Sequence, residues 1–253
     1  MKRMSFDINS DLGEGFGNYR LGHDEAMLSM VSSANVACGY HAGDPLVIAE
    51  TIATAAEKRV AVGAHPGLPD LLGFGRRWME LSKEDMSAYW LAQLGIVGAF
   101  ARAHGVPLHH AKPHGAMYKI MATDLGLAES ALTALSLFDS SLPVYFPAPL
   151  TPTIVAASAN TGVRLVPEVY VDLNYGGDGR LLVERVKRAL DPTIAAERIT
   201  RFLEVGKIQT TDGNNLEFEA DSVCVHGDTP NGPEVLAAVR AAINALHIEI
   251  CPP

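Results

Sequence analysis

The chain has 253 residues, 48% hydrophobic and 19% charged, which is enough apolar material for a large core and argues against disorder. Its 20 Lys and Arg against 29 Asp and Glu give a formal net charge of −9, which disfavours nucleic-acid binding because phosphates require a basic footprint. Three cysteines do not suit a disulfide framework. The N-terminus lacks a secretory pattern and no apolar run approaches the ~20 residues of a membrane span, so we expect a cytoplasmic protein outside the membrane.

Short apolar segments alternate with longer helical patterns along the chain. Strands are predicted over residues 6–9, 34–37, 60–64, 108–111, 144–146, 165–168 and 223–225. Helices are predicted over residues 46–58, 83–103, 124–138, 153–160 and 233–246, and Ser82 and Gly105 are the expected N-cap and terminator of the helix over 83–103. Residues 207–218 are typical of a β-hairpin near the last strand. This alternation predicts right-handed βαβ units in a single α/β domain over residues 1–253.

Polar residues followed by Gly or Pro terminate five of the predicted strands, namely the first to the fourth and the seventh. Side chains alternate between faces along a strand, so Asp7, Asn9 and Asp11 are expected to share one face. Buried polar groups are costly unless they are paired, and five such ends are hard to explain as surface decoration. A closed or nearly closed barrel brings all these ends to one mouth, whereas an open sheet spreads them along an edge, so we favour a barrel.

Several of these residues also have a plain structural interpretation. Asp44 precedes a proline and a predicted helix, and an N-cap is as good an interpretation as a site residue. Lys112 is either a buried counter-ion of a carboxylate or a group that stabilises a developing oxyanion. His110 and His114 have the His-x-x-x-His spacing of some metal sites, but Pro113 disfavours a helix there, so metal ligation would use the strand face instead.

The carboxylates, imidazoles and ammonium group at these strand ends suit general acid/base hydrolysis, with or without a divalent metal that activates water. The sequence contains neither a dinucleotide fingerprint, a phosphate loop nor a Gly-x-Ser-x-Gly elbow. The catalytic candidates are Asp11, Glu14, His41, His65, Lys112, His114, His226 and Asp228. The substrate-binding candidates are Asn9, Asn35, Asp44, Arg76, Tyr118 and Glu168, and the candidates for a metal are Asp11, His41, His65 and His114.

Six sequence blocks cover the first half of the chain almost continuously and return near its end. They are DINSDLGE (7–14), SANVACGYHAGD (33–44), GAHPGLPD (63–70), GFGRR (73–77), HAKPHGAMY (110–118) and VHGD (225–228). With these blocks the sequence resembles the LamB/YcsF lactam-utilisation family. The resemblance implies a seven-stranded β/α barrel similar to the glycoside hydrolase/deacetylase superfamily. It also implies a component of an ATP-dependent 5-oxoprolinase, which opens 5-oxoproline to glutamate together with two further subunits, B and C.

In the mechanism that we expect from this resemblance, ATP is a co-substrate that activates the lactam carbonyl by phosphorylation of its oxygen. A group at the mouth then orients or deprotonates water, the candidates being Asp11, Glu14, His41 and His65. Lys112 and His114 stabilise negative charge on oxygen or phosphate, and His226 with Asp228 protonates the departing ring nitrogen. Replacing Lys112 with methionine is expected to abolish turnover with little loss of folding. Whether the protein binds a divalent metal and whether it forms a homo-oligomer both stay open.

The second half of the chain departs from the family pattern. Residues 146–149 read FPAP where relatives usually carry a Gly-rich turn, and residues 171–175 read VDLNY, so that Leu173 replaces an expected Arg. Arg76, Arg180 or Arg185 could compensate for the missing arginine, and a related lactam or cyclic amide is the natural alternative substrate. Two other functions stay open, a self-sufficient metal-dependent deacetylase or amidohydrolase and a non-catalytic subunit that binds a small molecule.

Overall fold

The computed structural model describes residues 4–184 and 186–253. Its strands are β1 (Ser5–Leu12), β2 (Ser33–Ala37), β3 (Ala61–His65), β4 (Leu108–Ala111), β5 (Val144–Pro147), β6 (Leu165–Tyr170), β7 (Asn174–Tyr175), β8 (Leu181–Leu182), β9 (Lys207–Gln209), β10 (Asn215–Glu217), β11 (Ser222–Cys224) and β12 (Glu249–Ile250). Its helices are α1 (Asp24–Leu28), α2 (Pro45–Lys58), α3 (Lys83–Ala103), α4 (Gly115–Thr123), α5 (Leu125–Phe138), α6 (Pro152–Thr161), α7 (Pro192–Val205) and α8 (Gly232–Ala245), with a 3-10 turn at Leu71–Gly73.

Seven parallel strands of the described residues form a closed barrel in the order β1-β2-β3-β4-β5-β6-β11. Closure comes from the pairing of β11 with β1, which sets Asp7 opposite Ser222 and Asn9 opposite Cys224. The short strand β12 pairs with the first residues of β1, outside the barrel circuit. The predicted seven-stranded α/β barrel is therefore confirmed. Its closure brings the carboxyl ends of the strands to one mouth.

Local sequence signals account for several helix boundaries. The Ser82 hydroxyl accepts from the backbone N–H of Asp85 and the Asp85 carboxylate accepts from that of Ser82, a capping box that starts α3. Gly105, with φ of +72°, follows the end of that helix in the left-handed conformation. The Asp44 carboxylate accepts from the backbone N–H of Leu46 and Val47 and so caps α2. The predicted N-caps and terminator are confirmed.

The sequence did not predict α1, α4, α7 or the strands β7, β8 and β12. Helix α4 begins at Gly115, directly after Pro113 and His114, where proline and glycine are typical of a break instead of a start. The predicted hairpin over residues 207–218 is confirmed by the antiparallel pair β9–β10. No single helix of the described chain is long and apolar enough to cross a membrane, whereas α4 and α5 pass that test together, by length and composition only, as a pair bent by 117°.

The barrel interior is polar along β1. Phe6, Ile8 and Leu12 lie in the apolar cluster that the strands share with the helices. Asp7 points inward, where its carboxylate accepts hydrogen bonds from Ser32, Ser33 and Ser222. Burial nonetheless raises the pKa of Asp7, because it outweighs those three hydroxyl bonds. The predicted division of β1 into an apolar and a polar face is confirmed.

Candidate active site at the barrel mouth

Lys112 lies immediately after β4 and extends into the closed end of the mouth, where it is 2% exposed. Its Nζ lies 3.0 Å from Asp11 Oδ1 and 3.1 Å from Glu168 Oε2, and donates to Asn9 Oδ1 and Cys224 Sγ, each at 3.1 Å. Burial alone would lower the pKa of Lys112, but Asp11, Cys224 and Glu168 outweigh it and hold the pKa well above its usual value. Lys112 is therefore a permanently charged counter-ion of two buried carboxylates.

Asp11, at the end of β1, joins the Lys112 group to two histidines. Its Oδ1 accepts from Asn35 Nδ2 at 2.9 Å, and its Oδ2 lies 3.2 Å from His65 Nε2 and 3.8 Å from His226 Nε2. Burial would raise the pKa of Asp11, but the charges of His65 and Lys112 hold it well below its usual range. Asp11 is an ionised carboxylate facing the cavity and is therefore suited to orient water.

Three histidines and Glu14 form a second group beside Asp11. The His114 ring stacks on that of His41 with 3.7 Å between centroids, and His114 Nδ1 lies 2.9 Å from His65 Nε2. Glu14 Oε1 lies 3.6 Å from His41 Nε2 and 3.8 Å from His114 Nδ1. One ligand atom from each of these four residues can be chosen so that all lie within 4.8 Å of one another. This group, the histidine cluster, is the candidate place for a metal ion, with Glu14 in place of the expected Asp11.

Two glycines leave the space that the histidine cluster needs. A Cβ at Gly67 would lie 2.3 Å from His41 Nδ1, and one at Gly75 would lie 2.7 Å from the His41 Cβ. Both distances are shorter than real contacts, so any larger residue would displace the ring. The sequence blocks GAHPGLPD and GFGRR therefore carry glycine at these positions for close packing against His41.

His226 follows β11 and pairs with Asp172, a residue that the sequence did not single out. Asp172 Oδ2 accepts from the His226 backbone N–H at 2.9 Å and lies 2.8 Å from His226 Nδ1. Burial would raise the pKa of Asp172, but the charge of His226 and the bonds it makes lower it. The expected partnership of His226 with Asp228 is wrong, because Asp228 is held elsewhere.

Asp228 lies at the outer part of the mouth, where it is the anionic partner of two basic residues. It forms ion pairs with Lys187 and, with 3.8 Å between Arg76 Nη2 and its own Oδ2, with Arg76. Leu173 lines the same cavity, so the structure supplies Lys187 and Arg76 close to where an arginine was expected. Arg180 is instead an exposed side chain paired with Asp178. Arg185 lies outside the described residues.

The substrate-binding candidates separate into three locations. Asn9, Asn35 and Glu168 are fully buried below the cavity. They hydrogen-bond to one another and to the buried polar residues around them, which are Asp11, His110, Lys112, Tyr170 and Ser222. Arg76 and Tyr118 line the cavity, and burial raises the pKa of Tyr118 to about 12. Asp44 caps α2 and accepts from Gly17 N at 2.7 Å, away from the cavity lining.

Sequence reasoning missed four residues of the mouth. Asp172 and Cys224 stand where β6 and β11 end, so the strand-end rule that found the other residues would have found them too. Tyr170, the last residue of β6, donates its hydroxyl hydrogen bond to Glu168 and stacks on His226 with 5.7 Å between centroids. Lys187 lies in a segment without regular structure and carried no signal.

The cavity at the mouth has a volume of about 50 Å³, and Leu173, Leu181 and Val183 are its aliphatic lining residues. That volume accommodates a few water molecules, at roughly 10–15 Å³ each. A neighbouring cavity of about 430 Å³ shares Tyr118 and Leu181 with it and is otherwise largely apolar, with Trp78 at its rim. A substrate larger than a few waters therefore does not fit within this cavity alone, and the neighbouring cavity offers the additional space.

Comparisons with known proteins agree over nearly the whole chain. The model of the LamB/YcsF family matches residues 6–253, and the chain belongs to this family. The chain is 41% identical over 251 residues to the A subunit of 5-oxoprolinase from Thermococcus onnurineus, with 98% of both chains covered. It is 42% identical over 250 residues to the A subunit of 5-oxoprolinase from Thermus thermophilus, with 98% of this chain and 99% of the relative covered.

Solved structures show the same fold. The crystal structure of a lactam utilization protein from Thermus thermophilus superimposes with a TM-score of 0.90 at 41% identity, covering 98% of this chain and 99% of that one. A putative cellobiose-phosphate cleavage protein from Enterococcus faecalis matches with a TM-score of 0.58 at 17% identity, covering 98% and 97% of the two chains, and shows similarity of fold alone.

Proposed function

Because this chain belongs to the LamB/YcsF family, we propose that it is one component of an ATP-dependent 5-oxoprolinase that opens the ring of 5-oxoproline, or of a closely related lactam, to the open-chain amino acid. ATP is the co-substrate of the complex, subunits B and C are its partners, and the cytoplasm is its compartment. Relatives named as the A subunit of 5-oxoprolinase, at 41–42% identity over nearly their full length, support the reaction. The observation that carries the proposal is that an acid/base pair and a buried carboxylate face one small cavity.

In this proposal the lactam carbonyl lies in the cavity above Asp11 and Lys112. Amide resonance makes the carbonyl carbon a poor electrophile, and transfer of the γ-phosphoryl group of ATP to the oxygen, with ADP as the leaving group, removes that resonance. Water then adds to the carbon, the carbon–nitrogen bond breaks, and a second water hydrolyses the resulting acyl phosphate to the carboxylate and free phosphate. Asp11 orients the attacking water, because its low pKa keeps it ionised and His65 holds it in place at 3.2 Å. Lys112 stabilises negative charge that develops on oxygen, in a site where water does not screen it.

Ring opening requires a proton for the departing nitrogen. His226 faces the cavity and its Nε2 lies 3.8 Å from Asp11 Oδ2, so it can reach a group that Asp11 also contacts. Asp172 holds His226 through both Nδ1 and the backbone N–H, which fixes the ring with Nε2 directed inward. Asp172 is thus a positioning residue, and His226 is the proton donor. Arg76 and Lys187 supply positive charge for the substrate carboxylate or for phosphate.

The test is ATP-dependent hydrolysis of 5-oxoproline and other lactams by this chain mixed with subunits B and C from the same source, with product and phosphate measured. We expect Asp172→Asn to lower kcat by about 100-fold or more and to change its pH profile, since acid/base catalysis contributes about that much. Asp178→Asn, an exposed acidic residue on the neighbouring hairpin, is the matched control and should act like the wild type. Failure to hydrolyse any lactam in the complete mixture would contradict the proposal.

The histidine cluster favours a second candidate, a metal-dependent amidohydrolase or deacetylase that needs no partner. Three histidines and a carboxylate within 4.8 Å could hold an ion that activates water. That activity would appear with the isolated chain, without ATP, and would be abolished by a chelator. The same assay with and without ATP and the partner proteins therefore separates the two candidates.

A further inference from the structure

Backbone contacts determine which nitrogens of His65 and His114 carry hydrogen. His65 Nδ1 lies 2.7 Å from the Lys112 carbonyl oxygen, and His114 Nε2 lies 2.8 Å from that of Phe74. A carbonyl oxygen only accepts, so both of these nitrogens must be donors. His114 Nδ1, in a neutral ring that donates through Nε2, is an acceptor, and it faces His65 Nε2 at 2.9 Å. His65 Nε2 also lies 3.2 Å from Asp11 Oδ2, so a hydrogen on this nitrogen is directed at both neighbours.

His41 and Glu14 add further unsatisfied atoms at the same place. Neither ring nitrogen of His41 nor Glu14 Oε1 has a hydrogen-bond partner among the described residues, although all three atoms are buried. An unpaired buried polar group costs about 1–3 kcal/mol, so these three atoms together carry a substantial uncompensated cost. A cation that displaces the hydrogen of His65 Nε2 would satisfy Glu14 Oε1 and one nitrogen of His41 and would also be ligated by His65 Nε2 and His114 Nδ1.

A neighbouring group of possible ligand atoms differs from the histidine cluster because it already holds a cation. A second group that could hold a metal consists of Asp11, Cys224 and His226. Lys112 Nζ already lies 3.0 Å from Asp11 and 3.1 Å from Cys224, so an ammonium occupies the place of an ion there. The histidine cluster has no such cation within its ligand set.

We propose that the histidine cluster is a binding site for a divalent transition metal, with zinc the first candidate, ligated by His65 Nε2, His114 Nδ1, His41 Nε2 and Glu14 Oε1. Three neutral imidazoles and a carboxylate are ligands that zinc prefers. His65, His114 and Glu14 line the mouth cavity, while His41 lies behind them, so the bound ion would be next to Asp11 and could polarise an oxygen in the cavity. This assignment of a metal site does not depend on which lactam the protein hydrolyses.

The experiment measures zinc binding by the full chain. Metal-free protein is titrated with zinc in competition with a coloured chelator, and metal content after purification is measured by mass spectrometry. We expect about one zinc per chain. Glu14→Gln and His114→Gln should each weaken binding by at least about 100-fold, more than a change in the surrounding shell usually costs. Circular dichroism without metal confirms that each variant folds.

Three controls locate the ion. His104→Gln, at an exposed histidine on the far end of α3, should bind zinc as the wild type does, and so should His226→Gln and Cys224→Ser. Cobalt bound to the wild-type chain should show no thiolate charge-transfer absorption, a readout that requires no variant. Loss of binding in the Cys224 and His226 variants alone would overturn the assignment. The assignment would also be overturned if the wild-type chain bound no zinc and nitrogen NMR showed that its His65 and His114 rings share an extra proton.

Discussion

Replacing Lys112 with methionine removes the ammonium that Asp11 and Glu168 share. The side chain is 2% exposed and its Nζ has four polar contacts at 3.0–3.1 Å, none of which methionine can replace. Two buried carboxylates then lose their counter-ion. The structure therefore predicts a marked loss of stability for this variant, whereas the sequence alone led us to expect little loss of folding.

The size of the effect follows from the burial of these groups. Removing one partner of a buried ion pair costs about 3–5 kcal/mol. With an unfolding entropy of roughly 2.1 cal/mol/K per residue, a chain of this length has about 0.5 kcal/mol/K, so Tm should fall by roughly 6–9 °C. Lys112 also lowers the pKa of Asp11 in the folded protein. This lowered pKa contributes stability that is fully present above the pKa of Asp in the unfolded chain, about 3.9, and is lost as pH falls through the lower pKa of the folded state. The difference in Tm should therefore narrow below about pH 4.

Thermal unfolding followed by circular dichroism at pH 7 and pH 3.5 tests this reasoning. Lys207→Met, which removes an exposed lysine paired with Glu217, is the matched control and should change Tm little. The double variant with Glu168→Gln should recover about 1–3 kcal/mol, because one stranded charge is gone. If Lys112→Met melts within about 2 °C of the wild type, well short of the expected change, or if Glu168→Gln gives no recovery, Lys112 is not the counter-ion that the geometry indicates.

Gly67→Ala should destabilise the chain by about 1–3 kcal/mol and weaken zinc binding, because the added Cβ would meet His41. Gly95→Ala should instead stabilise the chain by about 0.5–1 kcal/mol, because Gly95 lies in the interior of α3 with open space around it. Denaturant unfolding of both variants checks the pair, and equal effects would contradict it. Asp7→Asn should gain stability relative to the wild type as pH rises above about 4, because a raised folded pKa makes the wild-type carboxylate destabilising at higher pH. A difference in Tm between the two that stays constant from about pH 4 to about pH 8 would rule this out.

Much of the fold was predictable because its signals are local. Helix α3 was predicted with its observed bounds, and β4 likewise, because a capping box, a terminating glycine and an apolar strand are all read within a few residues. Helix α4 was missed because the Pro113–Gly115 turn that precedes it looks like a break. Its start is set by contact instead, since Ala116 N donates to the carbonyl of Gly75.

The sequence by itself determined that polar residues stand at the ends of the strands and that a parallel barrel would bring them together. Both follow from the order of residues, because it sets which side chains alternate between the faces of a strand and which residues come last in it. Which groups become partners was decided only by the tertiary structure. His226 pairs with Asp172 and not with its near neighbour Asp228, and Lys112 lies between Asp11 and Glu168. Partners separated by more than about 50 residues meet only through the register and closure of the barrel, which set distances that no local pattern contains.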